Sequence, residues 1–236
     1  MKLLFAQVVE AATVAQDSIM ALTEPAAEGV NVWELAVKGG WIMLVLALLS
    51  VVGVYIFVER FTTLRKAMKL NPLFLERVRD NIKDNDVKSA MNYCHNEDTP
   101  MARVIERGLK NLNLSAPAIR ESIDNRANME VAALEKGLPI LSTIAAVAPR
   151  IGFLGTVTGM VQAFWQMANA GNNIDVSLLS GGIYEAMVTT VGGLIVGIVA
   201  IFAYNFLVIR VDKVQNDLEN GIISFMEIIH EKKENI

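Results

Sequence analysis

The sequence predicts an all-α membrane protein with three transmembrane helices, an external N-terminus and an internal C-terminus. Three observations carry this. Hydrophobic residues make up 53% of the 236-residue chain and the mean hydropathy is +0.40, too apolar for an ordinary soluble domain of this length. The apolar residues gather in three runs, each near or beyond the roughly 20 residues that a helix needs to cross the hydrocarbon. No segment shows the period-two alternation between turn signals that marks strands.

The elements follow in order. After Lys2 the N-terminus has an apolar core of only about four residues, below the roughly 7–15 of a signal peptide. Residues 3–22 therefore read as an amphipathic helix on the outer membrane–water interface, within an external segment 1–38. Trp41 to Val58 is a run of 18 residues without a charge, which sets the first span at 39–58. Residues 59–137 form an internal helical domain. Asn71-Pro72 starts a helix, since proline suits a first turn, and two short helices join near Asp84–Asp86. "NEDTP", ending at Pro100, and "NLSAPA" are breaks. From Ile119 to Leu138 the helical periodicity runs straight into the second span, 138–168. A link, 169–182, leads to the third span, 183–209. In the tail 210–236, Val211, Val214, Leu218, Ile222, Phe225 and Ile229 step by 3, 4, 4, 3 and 4. This seam continues the third span as a coiled-coil-like helix, best read as packing on the other internal helices.

Orientation follows from lysine and arginine. Residues 1–40 hold two of them, residues 59–137 fourteen, and the 169–182 link none. The 59–137 segment and the C-terminus are therefore internal. A net charge of −4 offers no basic surface for nucleic acid. The single cysteine, Cys94, excludes an internal disulfide, and beside His95 it reads as an inert thiol rather than a nucleophile or ligand. His95 and His230 are the only histidines and have no zinc-ligand spacing. No metal and no cofactor is expected.

The membrane runs carry a few polar groups. On a helical wheel Glu185, Thr189, Gly192 and Val196 fall within roughly 60°, whereas Thr190 lies roughly 140° from Glu185. An ionised side chain in mid-membrane costs several kcal/mol and marks an ion or proton pathway. The alternative places Glu185 at the outer water boundary as a helix-start residue. In the second span Ser142, Pro149 and Thr156 are spaced by seven and share a seam, with Pro149 perturbing the helix. Gly152, Gly155 and Gly159 in the second span, with Gly192 and Gly193 in the third, allow close helix packing. One carboxylate and a few hydroxyls do not make a relay, so other copies or another protein must supply the rest.

"APRIGFLGTVTGMVQAF" (148–164) and "GGIYEAMVTTVGGLIVGIVAIFAYN" (181–205), with the first span and the inner segment, resemble the ExbB/TolQ/MotA proton-channel family, the ExbB subgroup best. The resemblance implies a channel subunit of a bacterial inner-membrane motor, forming a homopentameric ring around two ExbD-like helices. An aspartate on the ExbD-like partner would carry the proton, and the flow would energise a TonB-like protein for transport across the outer membrane. Residue by residue, Thr156 matches the pore threonine of the GTVxG motif, Glu185 the acid of the third span, and Thr190 the second pore threonine. The wheel selects Thr189 instead. Ser142 joins the pathway by its seam. Arg150 departs from the pattern, which has an apolar or aromatic residue after the proline. It lies roughly 18 Å deeper than Glu185, so it is expected to snorkel to the inner headgroups or a subunit interface.

Two alternatives stand beside this: a TolQ-like or motility-type motor subunit, and a non-conducting membrane scaffold. An intramembrane enzyme fits least. There is no HExxH and no pair of membrane aspartates, and Ser180 has no membrane histidine to activate it.

Overall fold

The computed structural model describes residues 40–69, 73–169 and 176–234. The amphipathic helix expected at 3–22, the Asn71-Pro72 helix start and the centre of the 169–182 link lie outside the described residues. Among those described, every element is an α-helix: α1 (Gly40–Ala67), α2 (Phe74–Lys83), α3 (Val87–Glu97), α4 (Pro100–Lys110), α5 (Ala116–Glu135), α6 (Leu138–Asn169) and α7 (Val176–Glu234). Helices α1, α6 and α7 are long and apolar enough to cross a membrane. Their outward faces expose large apolar side chains such as Trp41, Tyr55, Phe153, Trp165, Phe202 and Ile209. Water disfavours such faces; hydrocarbon or another copy accepts them.

Local chemistry sets the breaks. Asp86 caps α3 by accepting from the Ser89 amide at 3.0 Å. Thr99 caps α4 by accepting from the Ala102 amide at 3.3 Å, with Pro100 at the first helical turn, where its missing N–H costs nothing. The expected passage of α5 into α6 as one helix is corrected. The two are separated at Lys136–Gly137, where Gly137 adopts φ +91°. Only glycine takes that conformation without strain, and periodicity alone does not reveal a single-residue break. Arg60 of α1 braces this corner by donating to Ala133 O at 3.0 Å. α7 begins at Val176, inside the stretch assigned to the link. No proline follows Val176, and nothing stops the helix before its 59th residue.

Beyond the spans, α2 to α5 bundle around the second half of α7. All six seam residues from Val211 to Ile229 are buried there, against Phe74, Val78, Ile82, Ile105, Ile119 and Ile123 among others. The seam is thus intramolecular core, as its spacing suggests. Cys94 lies in the same core, and burial pushes its thiol up to about 12, which makes it unreactive. Glu130 accepts from Arg103 at 2.9 and 2.7 Å and pairs with Arg126 at 2.7 Å. Asp98 closes the network on Arg103 at 2.7 Å.

Candidate functional site

α6 and α7 touch through residues without bulk. A Cβ on Gly193 would lie 2.6 Å from Ala148 O and 2.8 Å from the Gly152 Cα, and one on Gly152 would lie 2.8 Å from Thr189 O. Backbone fills that space, so only hydrogen fits. Nearer the 170–175 end, Gly159 meets Ala186 and Gly182 meets Ala163, while Gly155 faces the Thr189 side chain. Gly192 points elsewhere: a Cβ there would meet Met43 Sδ of α1 at 2.9 Å. α7 is therefore held between α6 and α1 by small residues, as helix packing in lipid favours.

Close approach lets hydroxyls of one helix reach carbonyls of the other. Thr156 of α6 donates to Ala186 O of α7 at 3.0 Å. Thr190 of α7 donates to Gly152 O of α6 at 3.2 Å. The two hydroxyls also hydrogen-bond each other, and either can be the donor. The pattern is reciprocal. Each threonine reaches the carbonyl lying four residues before the other, so Gly152-x-x-x-Thr156 and Ala186-x-x-x-Thr190 clasp like two identical hooks. Two hydroxyl protons serve three links, of which two are made at a time, so this chain of hydrogen bonds can reverse its direction without moving a heavy atom. Both threonines are only partly buried, which leaves one side of the bridge approachable.

Thr189 is placed differently. It is 2% exposed and its hydroxyl is spent on Ala186 O at 2.8 Å and Gly152 O at 3.4 Å. The wheel grouping of Glu185, Gly192 and Val196 holds as geometry, but that side of α7 packs on α1. Glu185 Oε1 lies 2.5 Å from where a Cβ on Gly40 would project, Gly192 meets Met43, and Val196 packs with Ile42, Leu46 and Ala148. Glu185 is exposed at the level where α1 begins, about 7.5 Å along the axis from Thr190. Pro149 sits inside an unbroken α6, its ring seated on Gly197. Arg150 is on the exposed face.

Ser142 lies at the other end of α6, in a cavity of ≈ 440 Å³ that also receives Glu135, Tyr204 and Asp212. Sequence reasoning did not join these last three to Ser142. Tyr204 and Asp212 sit two turns apart near the end of the third run, a spacing that would have placed them on nearby faces. No group of three or more His, Cys, Asp or Glu among the described residues is arranged to hold a metal.

Residues 96–220, which contain both hooks, match the model of the MotA/TolQ/ExbB proton channel family. The chain belongs to this family. Several curated relatives agree with the assignment. The Tol-Pal system protein TolQ of Haemophilus influenzae is 28% identical over 200 residues, covering 80% of this chain and 87% of that protein. A putative biopolymer transport protein ExbB-like 1 of Synechocystis is 29% identical, over 82% of this chain and 76% of the relative. The biopolymer transport protein ExbB of Neisseria meningitidis is 28% identical, over 70% and 80%. Proteins named ExbB and TolQ are thus about equally similar to this MotA/TolQ/ExbB family member, which carries three membrane-capable helices among the described residues.

Proposed function

We propose that this chain is the channel-forming subunit of an ExbB-type motor in the bacterial inner membrane, using the proton motive force to energise TonB-dependent transport. The observation that carries this reading is the reciprocal Thr156–Thr190 bridge, which spans the two helices inside the segment common to the family. Five copies arrange their α6–α7 pairs around a central passage, with the half-exposed side of each bridge turned inward. Hydroxyls both donate and accept, so a ring of them carries protons and water past an apolar wall without holding a charge. The charge-changing group, an aspartate, rides on an ExbD-like single-span partner inside the ring. Neutralising that aspartate removes the several kcal/mol cost of facing hydrocarbon and lets the insert step to the next equivalent site. A TonB-like protein transmits the work. The positive-inside rule puts the N-terminus in the periplasm and the bundle of α2 to α5 in the cytoplasm. Glu185 then stands at the periplasmic mouth, about one and a half turns before Thr190, and Arg150 faces a neighbouring subunit or the inner headgroups.

The half-exposed hydroxyl pair and the Glu185 carboxylate favour this over a scaffold, which accounts for the glycine contacts but leaves those polar groups without a role. A TolQ-like role is the second reading, favoured by the long coverage of the Haemophilus relative. Growth on scarce iron separates them. In cells lacking their own ExbB-type subunit, this chain is expected to restore growth while Thr156→Ala does not. Restoration of envelope constriction in cells lacking TolQ, with no effect on iron-limited growth, would move the assignment to TolQ.

A further inference from the structure

The end of the third run carries a cation in an unusual setting. The Arg210 guanidinium carbon lies 4.6 Å from the centre of the Phe206 ring and 5.6 Å from that of Phe61. The two rings stack on each other at 6.1 Å, and Phe57 joins Phe206 at 6.2 Å. An arginine lying on aromatic faces keeps its N–H donors in the plane, pointing along the edges. Nη1 donates to Met68 Sδ at 3.8 Å, a weak acceptor. None of the ion pairs among the described residues includes Arg210. The planar fork is thus oriented by the rings and Met68 and is short of a strong acceptor.

The surroundings say which acceptor fits. Arg65 is exposed one turn after Phe61 and next to buried Leu64, and Lys213 is exposed one turn after Arg210. Neither has a carboxylate partner within the described ion pairs. Directly on the span side lie the exposed apolar residues Val58, Phe202 and Ile209. A cation fork flanked by two further positive charges, beside an exposed apolar surface of two membrane-capable helices, matches an amphiphile with a negative head and hydrocarbon tails. We propose that the surface where α1 and α7 meet at Arg210 binds one anionic phospholipid. The phosphodiester sits on Arg210 with Arg65 and Lys213 at the rim, and an acyl chain lies along Phe202 and Val58. A guanidinium can take two phosphate oxygens at once, and basic pockets at the headgroup end of membrane helices bind anionic heads in this way. The site is independent of the Thr156–Thr190 bridge and of whether the chain conducts protons.

Native mass spectrometry of the detergent-solubilised protein tests this, with phosphatidylglycerol or phosphatidylethanolamine of identical acyl chains added. Wild type is expected to retain phosphatidylglycerol in preference to phosphatidylethanolamine, and excess inorganic phosphate is expected not to displace it. Arg210→Gln is expected to reduce retention about fivefold, the effect of about 1 kcal/mol per charge at a membrane surface. Arg107→Gln, an exposed charge on α4, is expected to leave it unchanged. Should Arg210→Gln fail to fold, Arg65→Gln with Lys213→Gln removes the two rim charges without touching the aromatic stack, and a fall of about thirtyfold is expected by the same reckoning. Equal retention of the two lipids, no effect of these substitutions, or displacement by free phosphate or by an acidic peptide would overturn the proposal.

Discussion

Replacing Gly193 with alanine tests the α6–α7 contact at its tightest point. The added Cβ would sit 2.6 Å from Ala148 O and 2.8 Å from the Gly152 Cα, both backbone atoms that no rotamer change can clear. Restoring an ordinary 3.4 Å contact requires the helices to part by about 0.8 Å. That separation stretches the Thr156–Ala186 hydrogen bond from 3.0 Å to about 3.8 Å, outside bonding range. Overpacking costs about 1–3 kcal/mol, and each lost interhelical hydrogen bond about 0.6 kcal/mol. Alanine returns about 0.8–1 kcal/mol of helix propensity. The net expectation is a loss of about 1–3 kcal/mol. Two neighbours calibrate it. Gly192→Ala is crowded by the flexible end of Met43 and meets Leu46 at an ordinary 3.8 Å, so its cost is smaller. Gly181→Ala meets nothing within 4 Å and is expected to be neutral or slightly stabilising. Unfolding of the three variants in mixed micelles, followed by helical circular dichroism, should rank them Gly181, Gly192, Gly193 in increasing damage. Gly193→Ala proving as stable as Gly181→Ala would refute the close backbone approach.

Further expectations concern single side chains. Thr189→Val should lower stability by about 1 kcal/mol or less and spare proton flux, whereas Thr190→Val should reduce flux; both are read in proteoliposomes. Glu130→Ala strips Arg103 and Arg126 of a shared carboxylate. These arginine side chains remain 32% and 35% exposed, so denaturant titration should show a loss of about 1–3 kcal/mol rather than collapse. Cys94, held near 12 by burial, should resist maleimide at pH 8 in the folded protein and react on unfolding, checked by mass shift. The hydrogen bond from Arg79 holds the Glu231 carboxylate below its ordinary 4.5. A depressed carboxylate contributes above its unfolded value and is lost as pH falls through the folded one. The end of α7 should therefore loosen from α2 only below about pH 4.5, seen as faster amide exchange over residues 225–234.

The three apolar runs, the two short helices around Asp84–Asp86 and the tail seam were legible because each is a repeated signal of burial. The break at Gly137 was not, since one residue at positive φ leaves the flanking periodicity intact. The early start of α7 was missed because polar composition resembles a link even where no breaker interrupts the helix. At the site, the helical wheel set Glu185, Thr189, Gly192 and Val196 on one side of α7, yet Thr189 packs on α6 while Glu185 and Gly192 meet α1. It could not say which angle meets which neighbour. That is decided by the small residues Gly152, Gly155 and Gly193, which turn Thr189 into the contact with α6 and leave Thr190 beside Thr156. The usable clue lay in the repeated small-x-x-x-Thr spacing of the two spans, which becomes informative only when the helices are paired.

Proton flux through the chain reconstituted in proteoliposomes with the proposed single-span partner addresses the account most directly. Under an imposed pH gradient, the wild-type complex should acidify the lumen. Thr156→Ser should keep the hydroxyl and the flux, while the double change Thr156→Ala and Thr190→Ala should reduce it to the level of empty liposomes without dissociating the complex. Flux that survives the loss of both hydroxyls in an intact complex would contradict the claim that protons pass along the bridge between α6 and α7.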